Sequence, residues 1–117
     1  LFANLMSNLL LTNSLTRKKE IFKPINPKKI SLYACGPTVY DNPHVGNARS
    51  LVVFDVLYRV LKALYGSNVT YVRNITDVDD KIIEASHKNK ISIEEITTKV
   101  TNVFHENCKI SWARRCV

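Results

Sequence analysis

Between Asn47 and Leu64 the apolar side chains Val53, Phe54, Leu57, Val60, Leu61 and Leu64 recur at intervals of three and four residues. That period lays them along one side of an amphipathic helix. Gly66 and Asn68 supply its stop. The flanking segments follow another pattern. Ile30-Ser31-Leu32-Tyr33-Ala34 reads as a strand ending at Cys35, and Val69-Thr70-Tyr71-Val72-Arg73-Asn74-Ile75, β-branched and aromatic, reads as a second. Thr76 and Asp79 stand at a capping-box spacing that opens a helix, and Ser92 and Glu95 do the same for a longer helix ending near Cys108. Upstream, Leu9–Leu11 and Glu20–Phe22 flank a polar turn and fit a small hairpin.

Strand, loop, helix and strand together span residues 30–75. A parallel pair joined by a helix needs about this length, and the crossover is expected to be right-handed. The expected fold class is therefore α/β with parallel strands, preceded by a hairpin. The loop at 36–46 holds two of the three glycines, Gly36 and Gly46, and two of the four prolines, Pro37 and Pro43. In such sheets ligands bind beyond the carboxyl ends of the strands. The loop sits there and runs into a helix amino end, whose free N–H groups favour anions. Position alone nominates Cys35–Asn47 for a phosphate-bearing ligand.

Composition narrows the class. At 117 residues the chain is about one domain, and with 45% hydrophobic and 23% charged residues it is too apolar to be disordered. Its longest purely aliphatic or aromatic run is Leu51–Phe54, far short of the roughly 18 residues of a membrane span. Three cysteines without a pairing pattern, and no basic residue ahead of Arg17, point to a reducing, cytoplasmic setting without a secretory signal or transit peptide. The formal net charge is +7. Within residues 1–40, Arg17, Lys18, Lys19, Lys23, Lys28 and Lys29 face only Glu20, a local balance of +5. Those charges suit a surface facing a polyanion, with phosphates as the obvious partner. They equally suit a solvated hairpin flank.

Within the loop, Pro43-His44-Val45-Gly46-Asn47 brings together groups that a nucleotide can use. A histidine at the helix start can donate to phosphoryl oxygens, Asn47 adds an uncharged donor, and Gly46 lets a flat base or ribose approach the backbone. The alternative is a satisfied surface histidine in a Pro-Gly turn. Asp77, Asp79 and Asp80 are better read as first-turn acids complementing a helix dipole than as a divalent-metal cluster. His87 and His105 read as surface residues. Cys108 and Cys116 stand too far apart, in an irregular tail, for a zinc knuckle. Cys35 by itself is a half-buried cysteine at a strand end, since one thiol is no metal site.

Cys35-Gly36-Pro37-Thr38-Val39-Tyr40-Asp41, followed by His44-Val45-Gly46-Asn47-Ala48-Arg49, resembles the first signature of class I aminoacyl-tRNA synthetases in its cysteine-specific form. Arg73-Asn74-Ile75-Thr76-Asp77-Val78-Asp79-Asp80-Lys81-Ile82-Ile83 is similar to that family's next block. Thr16–Glu20 resembles its amino-terminal segment, and Phe104-His105-Glu106 its following helix. The resemblance covers roughly residues 6–109, three blocks in order at natural spacings. It implies a partial Rossmann-like catalytic domain and a two-step reaction. Cysteine and ATP, the latter with Mg2+, give cysteinyl-adenylate and pyrophosphate, and the cysteinyl group then passes to tRNA-Cys. It also implies roles residue by residue. His44 and Asn47 would be catalytic, steadying the ATP phosphates together with Pro37, Thr38 and Gly46. Cys35, Gly36, Thr38 and Thr76 would lie at the amino-acid substrate, and Cys35 would be the first of four ligands to a zinc ion that holds the substrate thiolate. The family's first signature is His-Ile-Gly-His or a variant. Here Val45 stands for its isoleucine, and Asn47 is a common fourth residue.

Two departures are visible. Leu1–Leu5 precede Met6, which looks like the family's natural start, and Ile110–Val117 does not continue the resemblance, as expected of a frameshift or gene fragment. The expected division is an extension and hairpin at 1–29, the first part of the catalytic domain at 30–109, and a non-matching tail at 110–117. The family's Lys-Met-Ser-Lys-Ser loop, its other three zinc ligands and its anticodon-binding domain are not found. Competing readings are an inactive fragment with weak nucleotide or tRNA binding, and a cysteine ligase with an amino-sugar acceptor. A small one-domain adenylyltransferase would need a second phosphate-binding motif, which is not found.

Overall fold

The computed structural model describes residues 9–110. The expectations placed on Leu1–Met6, on Cys116 and on residues 111–117 lie outside the described residues. Strands β1 (Leu10–Asn13) and β2 (Lys18–Ile21) pair antiparallel, with Leu10 opposite Ile21 and Asn13 opposite Lys18. This is the expected hairpin, closed at its base by the Phe22 N–H donating to the Leu9 carbonyl at 2.7 Å. Arg17 turns the chain with a φ of 56°.

Strands β3 (Ile30–Ala34) and β4 (Val69–Arg73) pair parallel, from Ile30 opposite Val69 to Ala34 opposite Arg73. Helix α1 (Val45–Tyr65) makes the crossover. Gly66 ends it with a φ of 65°, donating its N–H to the Lys62 carbonyl, and a short 3-10 turn at Gly66–Asn68 leads into β4. The second strand is thus two residues shorter than its composition predicts. Beyond Arg73 the chain leaves the ladder and touches it once more, at a parallel bridge between Thr38 and Thr76.

Helix α1 buries Tyr58, Leu61 and Leu64, with Phe54 and Leu57 half-buried. Val53 and Val60, expected on the same side, are exposed. The helix is apolar nearly all round, so the three-and-four spacing admits more than one face, and the tyrosine at 58 takes the place of the valines. Tyr58, Leu61, Ile30 and Val69 form one core, and the Tyr58 ring stacks on Tyr71 at 5.6 Å.

Helices α2 (Asp80–Asn89) and α3 (Ile93–Ile110) pack together around a second core of Ile82, Ile96 and Val100. The capping expectation holds for α3, where Ser92 Oγ accepts the Glu95 N–H at 3.1 Å. It fails for α2, whose cap is Asp79, accepting the Lys81 N–H at 3.0 Å. Thr76 is already engaged in the bridge to the loop, so Asp79 takes the cap. Cys108 is buried within α3 and not in an irregular tail. His105 is half-buried, with Nε2 enclosed and unpartnered, and is not the surface residue expected. His87 is exposed as expected.

Candidate functional site

The loop after β3 is fastened to the end of β4 and to the residues just beyond it. The Gly36 N–H donates to Asn74 Oδ1 at 2.9 Å, and Asn74 Nδ2 donates to Thr76 Oγ1 at 3.1 Å. The Val39 N–H donates to the Thr76 carbonyl at 3.1 Å, and the Thr76 N–H to the Pro37 carbonyl at 3.0 Å. A β-carbon at position 36 would stand 1.5 Å from the Asn74 carbonyl oxygen, so only glycine allows this approach. Val39, 1% exposed, drops from the loop into the α2–α3 core and pins its middle.

At its far end the loop becomes helix α1, beginning two residues earlier than the apolar period predicts. His44 is the N-cap. Its Nδ1 accepts the Gly46 N–H at 3.0 Å, and its own N–H donates to Asn47 Oδ1 at 2.9 Å, a reciprocal capping box. The ring lies over the first turn, where a β-carbon on residue 46 would meet Cε1 at 2.8 Å. The His-x-Gly-Asn spacing is thereby explained by geometry: histidine caps, glycine admits the ring, and asparagine closes the box. With Nδ1 an acceptor, the neutral imidazole carries its proton on Nε2. That N–H and the Nδ2 hydrogens of Asn47 have no partner among the described residues, and both belong to the first turn of α1, where the helix dipole favours anions while the Gly46, Asn47 and Ala48 N–H groups already donate to His44.

A cleft of about 90 Å³ opens between Pro37–His44 and Asn47, with Val100 and Phe104 of α3 behind it. The structure therefore gathers Pro37, Thr38, His44 and Asn47 at one cleft, with Gly46 in the turn that caps it. Cys35 and Gly36 stand at the β3 end of the same loop, tied through Asn74 to Thr76. Cys35 is exposed and not half-buried. Asp77, Asp79 and Asp80 form no metal cluster, and no group of three or more His, Cys, Asp or Glu that could hold a metal occurs among the described residues. One thiol at Cys35 does not by itself make a zinc site.

Two residues of the second block, Asn74 and Arg73, carry no role that the sequence pattern announces. The Arg73 guanidinium reaches the Cys35 carbonyl at 3.1 Å. Neither link can be read from spacing, because each joins residues 38 positions apart.

A model of the catalytic domain of class I (C) tRNA synthetases matches residues 21–112. The chain belongs to this synthetase family. Its match runs slightly past Lys109, the expected end of the resemblance. The chain is 60% identical over 101 residues to a protein named cysteine–tRNA ligase from Orientia tsutsugamushi (strain Ikeda), covering 86% of this chain and 21% of that one. It is 55% identical over 102 residues to a cysteine–tRNA ligase of Pelagibacter ubique, covering 86% and 22%. A third, from Beijerinckia indica, is 57% identical over 102 residues, covering 86% and 22%. The chain thus spans about a fifth of the length of the curated relatives it matches. The architecture expected of a synthetase, α/β with a parallel pair behind a small hairpin, is the one observed. No described helix is long and apolar enough to cross a membrane.

Proposed function

We propose that this chain supplies the first part of the catalytic domain of an ATP-dependent cysteine–tRNA ligase, with residues 30–109 as that part and 1–29 as an extension and hairpin before it. The observation that supports it most is the His44 cap: a histidine whose Nδ1 is tied down, leaving Nε2–H as a fixed donor at a helix amino end. In the first step the cysteine carboxylate attacks the α-phosphorus of ATP, and the bond to the β-phosphate oxygen breaks to release pyrophosphate. Charge builds on the phosphoryl oxygens as it does so. Nε2–H of His44, Nδ2–H of Asn47 and the α1 amino end are preorganised to receive that charge. One such donor contributes about 2.7–4 kcal/mol in the transition state. In the second step a hydroxyl at the tRNA end attacks the acyl carbon and AMP leaves.

The amino acid lies at the β3 end of the loop, near Cys35, Gly36, Thr38 and Thr76, on this reading. Cys35 is proposed as one donor to a zinc ion whose other ligands come from outside the described residues. Mg2+ would arrive with ATP. The exposed cations of the hairpin fit the phosphates of tRNA.

The test is a full-length enzyme in which residues 6–109 of this chain replace the matching part of the Orientia relative. Cysteine-dependent ATP–pyrophosphate exchange and charging of tRNA-Cys are expected. Absence of exchange in that enzyme overturns the reading, and exchange with transfer only to an amino-sugar acceptor overturns its second step. For the 117-residue chain by itself a second reading is favoured by the cleft, whose volume of about 90 Å³ is below the ~300 Å³ of ordinary small-molecule sites. Weak nucleotide or tRNA binding without exchange is expected of it.

A further inference from the structure

Arg73, the last residue of β4, is 6% exposed. No Asp or Glu among the described residues pairs with it; the ion pairs there are Arg59–Asp55 and Lys109–Glu106. A buried guanidinium without a carboxylate is tolerated only if its hydrogens are used. Here they reach three elements. Nε donates to the Tyr71 hydroxyl at 2.9 Å, Nη1 to the Cys35 carbonyl at 3.1 Å and more weakly to Ser50 Oγ at 3.5 Å, and Nη2 to the Ser50 carbonyl at 3.4 Å. The Phe54 ring lies 5.4 Å from the guanidinium carbon.

The β3–β4 ladder ends at the Ala34–Arg73 pair, so the carbonyl of Cys35 lies just past it. Arg73 takes that carbonyl and holds it against the second turn of α1. An apolar side chain of similar volume would fill the same space without the desolvation cost, but it would not join Cys35 to Ser50. The far end of the loop has a separate fastening, the His44–Asn47 box, which does not involve Arg73.

We propose that Arg73 is a positioning residue that sets where Cys35 stands relative to the amino end of α1, and so holds the amino-acid end of the site at its distance from the phosphate end. This rests on the ligase reading above. Arg73 touches no reacting atom. Its removal shifts the cysteine side of the site and leaves the ATP side in place.

The experiment uses the full-length enzyme carrying residues 6–109, with Arg73→Lys and Tyr71→Phe. Lysine keeps the charge without the fork. Phenylalanine keeps the ring that stacks on Tyr58 and removes only the acceptor for Nε. For Arg73→Lys, kcat/KM for cysteine is expected to fall on the order of 10²-fold, carried by KM for cysteine, with KM for ATP unchanged. Tyr71→Phe gives a smaller change of the same kind, and decides the matter alone if the lysine variant does not fold. A loss of active enzyme through poorer packing lowers kcat and leaves both KM values where they were; that pattern, or an equal rise in both KM values, overturns the proposal. Amide hydrogen exchange separates its failure from that of the ligase reading. If the unsubstituted enzyme shows no exchange of pyrophosphate, the ligase reading fails. Protection at the Gly36 N–H, which shares a peptide unit with the Cys35 carbonyl, is still expected to drop in both variants while the N–H groups of Gly46 and Asn47 keep theirs. Unchanged protection at Gly36 overturns the positioning role.

Discussion

The Gly36 N–H meets the side chain of Asn74 at 2.9 Å, while a β-carbon on residue 36 would collide with the backbone oxygen of the same asparagine at 1.5 Å. One residue thus demands both a donor and an empty space from the other. Gly36→Ala must push the end of β3 away from β4. It is expected to lower the unfolding free energy by about 1–3 kcal/mol or more, read as a fall in the urea midpoint at constant slope. Asn74→Ala leaves the Gly36 N–H without its acceptor and costs about 1–3 kcal/mol. A Gly36→Ala chain with an unchanged midpoint would show that the two strand ends are not held as described.

The His44 cap carries a kinetic expectation. In the full-length enzyme, His44→Ala should reduce the rate of adenylation by roughly 10²–10³-fold while changing ATP binding little, because the donor meets a charge that appears only in the transition state. Gly46→Ala should act in the same direction without touching the imidazole chemically, since its methyl group needs the place of Cε1. Cys35→Ser should instead raise KM for cysteine and erode discrimination against serine. Pyrophosphate exchange over a range of ATP and cysteine concentrations checks all three. A shared defect for His44→Ala and Cys35→Ser would overturn the separate roles.

Element by element, much of this fold lies open in local pattern. Ile30–Ala34 is bounded by its own composition, and Ser92 with Glu95 announces α3 correctly. The misses share a cause: each is decided by a contact distant in sequence. Thr76 has the spacing of a cap, but its backbone is taken by Pro37 and Val39, so Asp79 caps α2. Val53 and Val60 fit the period of α1, yet Tyr58 faces the sheet because Tyr71 stands there to stack on it. The candidate loop can be placed from glycine and proline density, and His44 from its position before a helix. The fastenings that give the loop its shape, Asn74 and Arg73, cannot, since nothing near them in the chain reveals what lies 38 residues away.

Val39 and Ile82 provide a stability test of the link between loop and helices. Val39 is 1% exposed and Ile82 fully buried, in one cluster with Ile96 and Val100. Ile82→Ala should cost about 2–5 kcal/mol, and Val39→Ala about 1.5–3 kcal/mol. Their distinguishing feature is the effect on the site. Val39→Ala should also loosen the bridge to Thr76, seen as lost protection of the Val39 and Thr76 amides. Equal protection of those two amides in the variant and the parent would mean that the α2–α3 core does not hold the loop.

The hairpin cations give an expectation about salt. Arg17, Lys18, Lys19, Lys23, Lys28 and Lys29 are all exposed. If they meet the phosphates of tRNA, the logarithm of the binding constant falls linearly with the logarithm of salt concentration. Lys18→Gln with Lys19→Gln should weaken binding similarly for different tRNAs and reduce the slope by about 1 for each contact removed. Fluorescence anisotropy of labelled tRNA over a salt series reads both. A slope unaltered by the double substitution would place the contacts elsewhere.

Glu20 is the acid within that basic hairpin, and its environment sets a pH dependence. Its carboxylate accepts from the Thr16 hydroxyl and, at 3.1 Å, from Asn13 Nδ2. Those two hydrogen bonds, Thr16 first, hold its pKa below the ordinary glutamate value. A carboxyl whose folded pKa is depressed contributes stability that is present above its unfolded pKa and is lost as the pH falls through the folded one. The hairpin should therefore keep its β1–β2 pairing through mildly acidic conditions and loosen only once the pH drops below the usual carboxylate range. Carbon-detected titration of the Glu20 side chain, followed alongside amide protection of Leu11 and Glu20, the hydrogen-bonded pair next to the Leu9–Phe22 closure, gives both quantities in one series. Thr16→Val should bring the Glu20 midpoint back up toward the ordinary value and move the loss of protection to higher pH with it. A midpoint in the parent chain at or above the ordinary glutamate value would mean that the carboxylate is not held by Thr16 and Asn13 in solution.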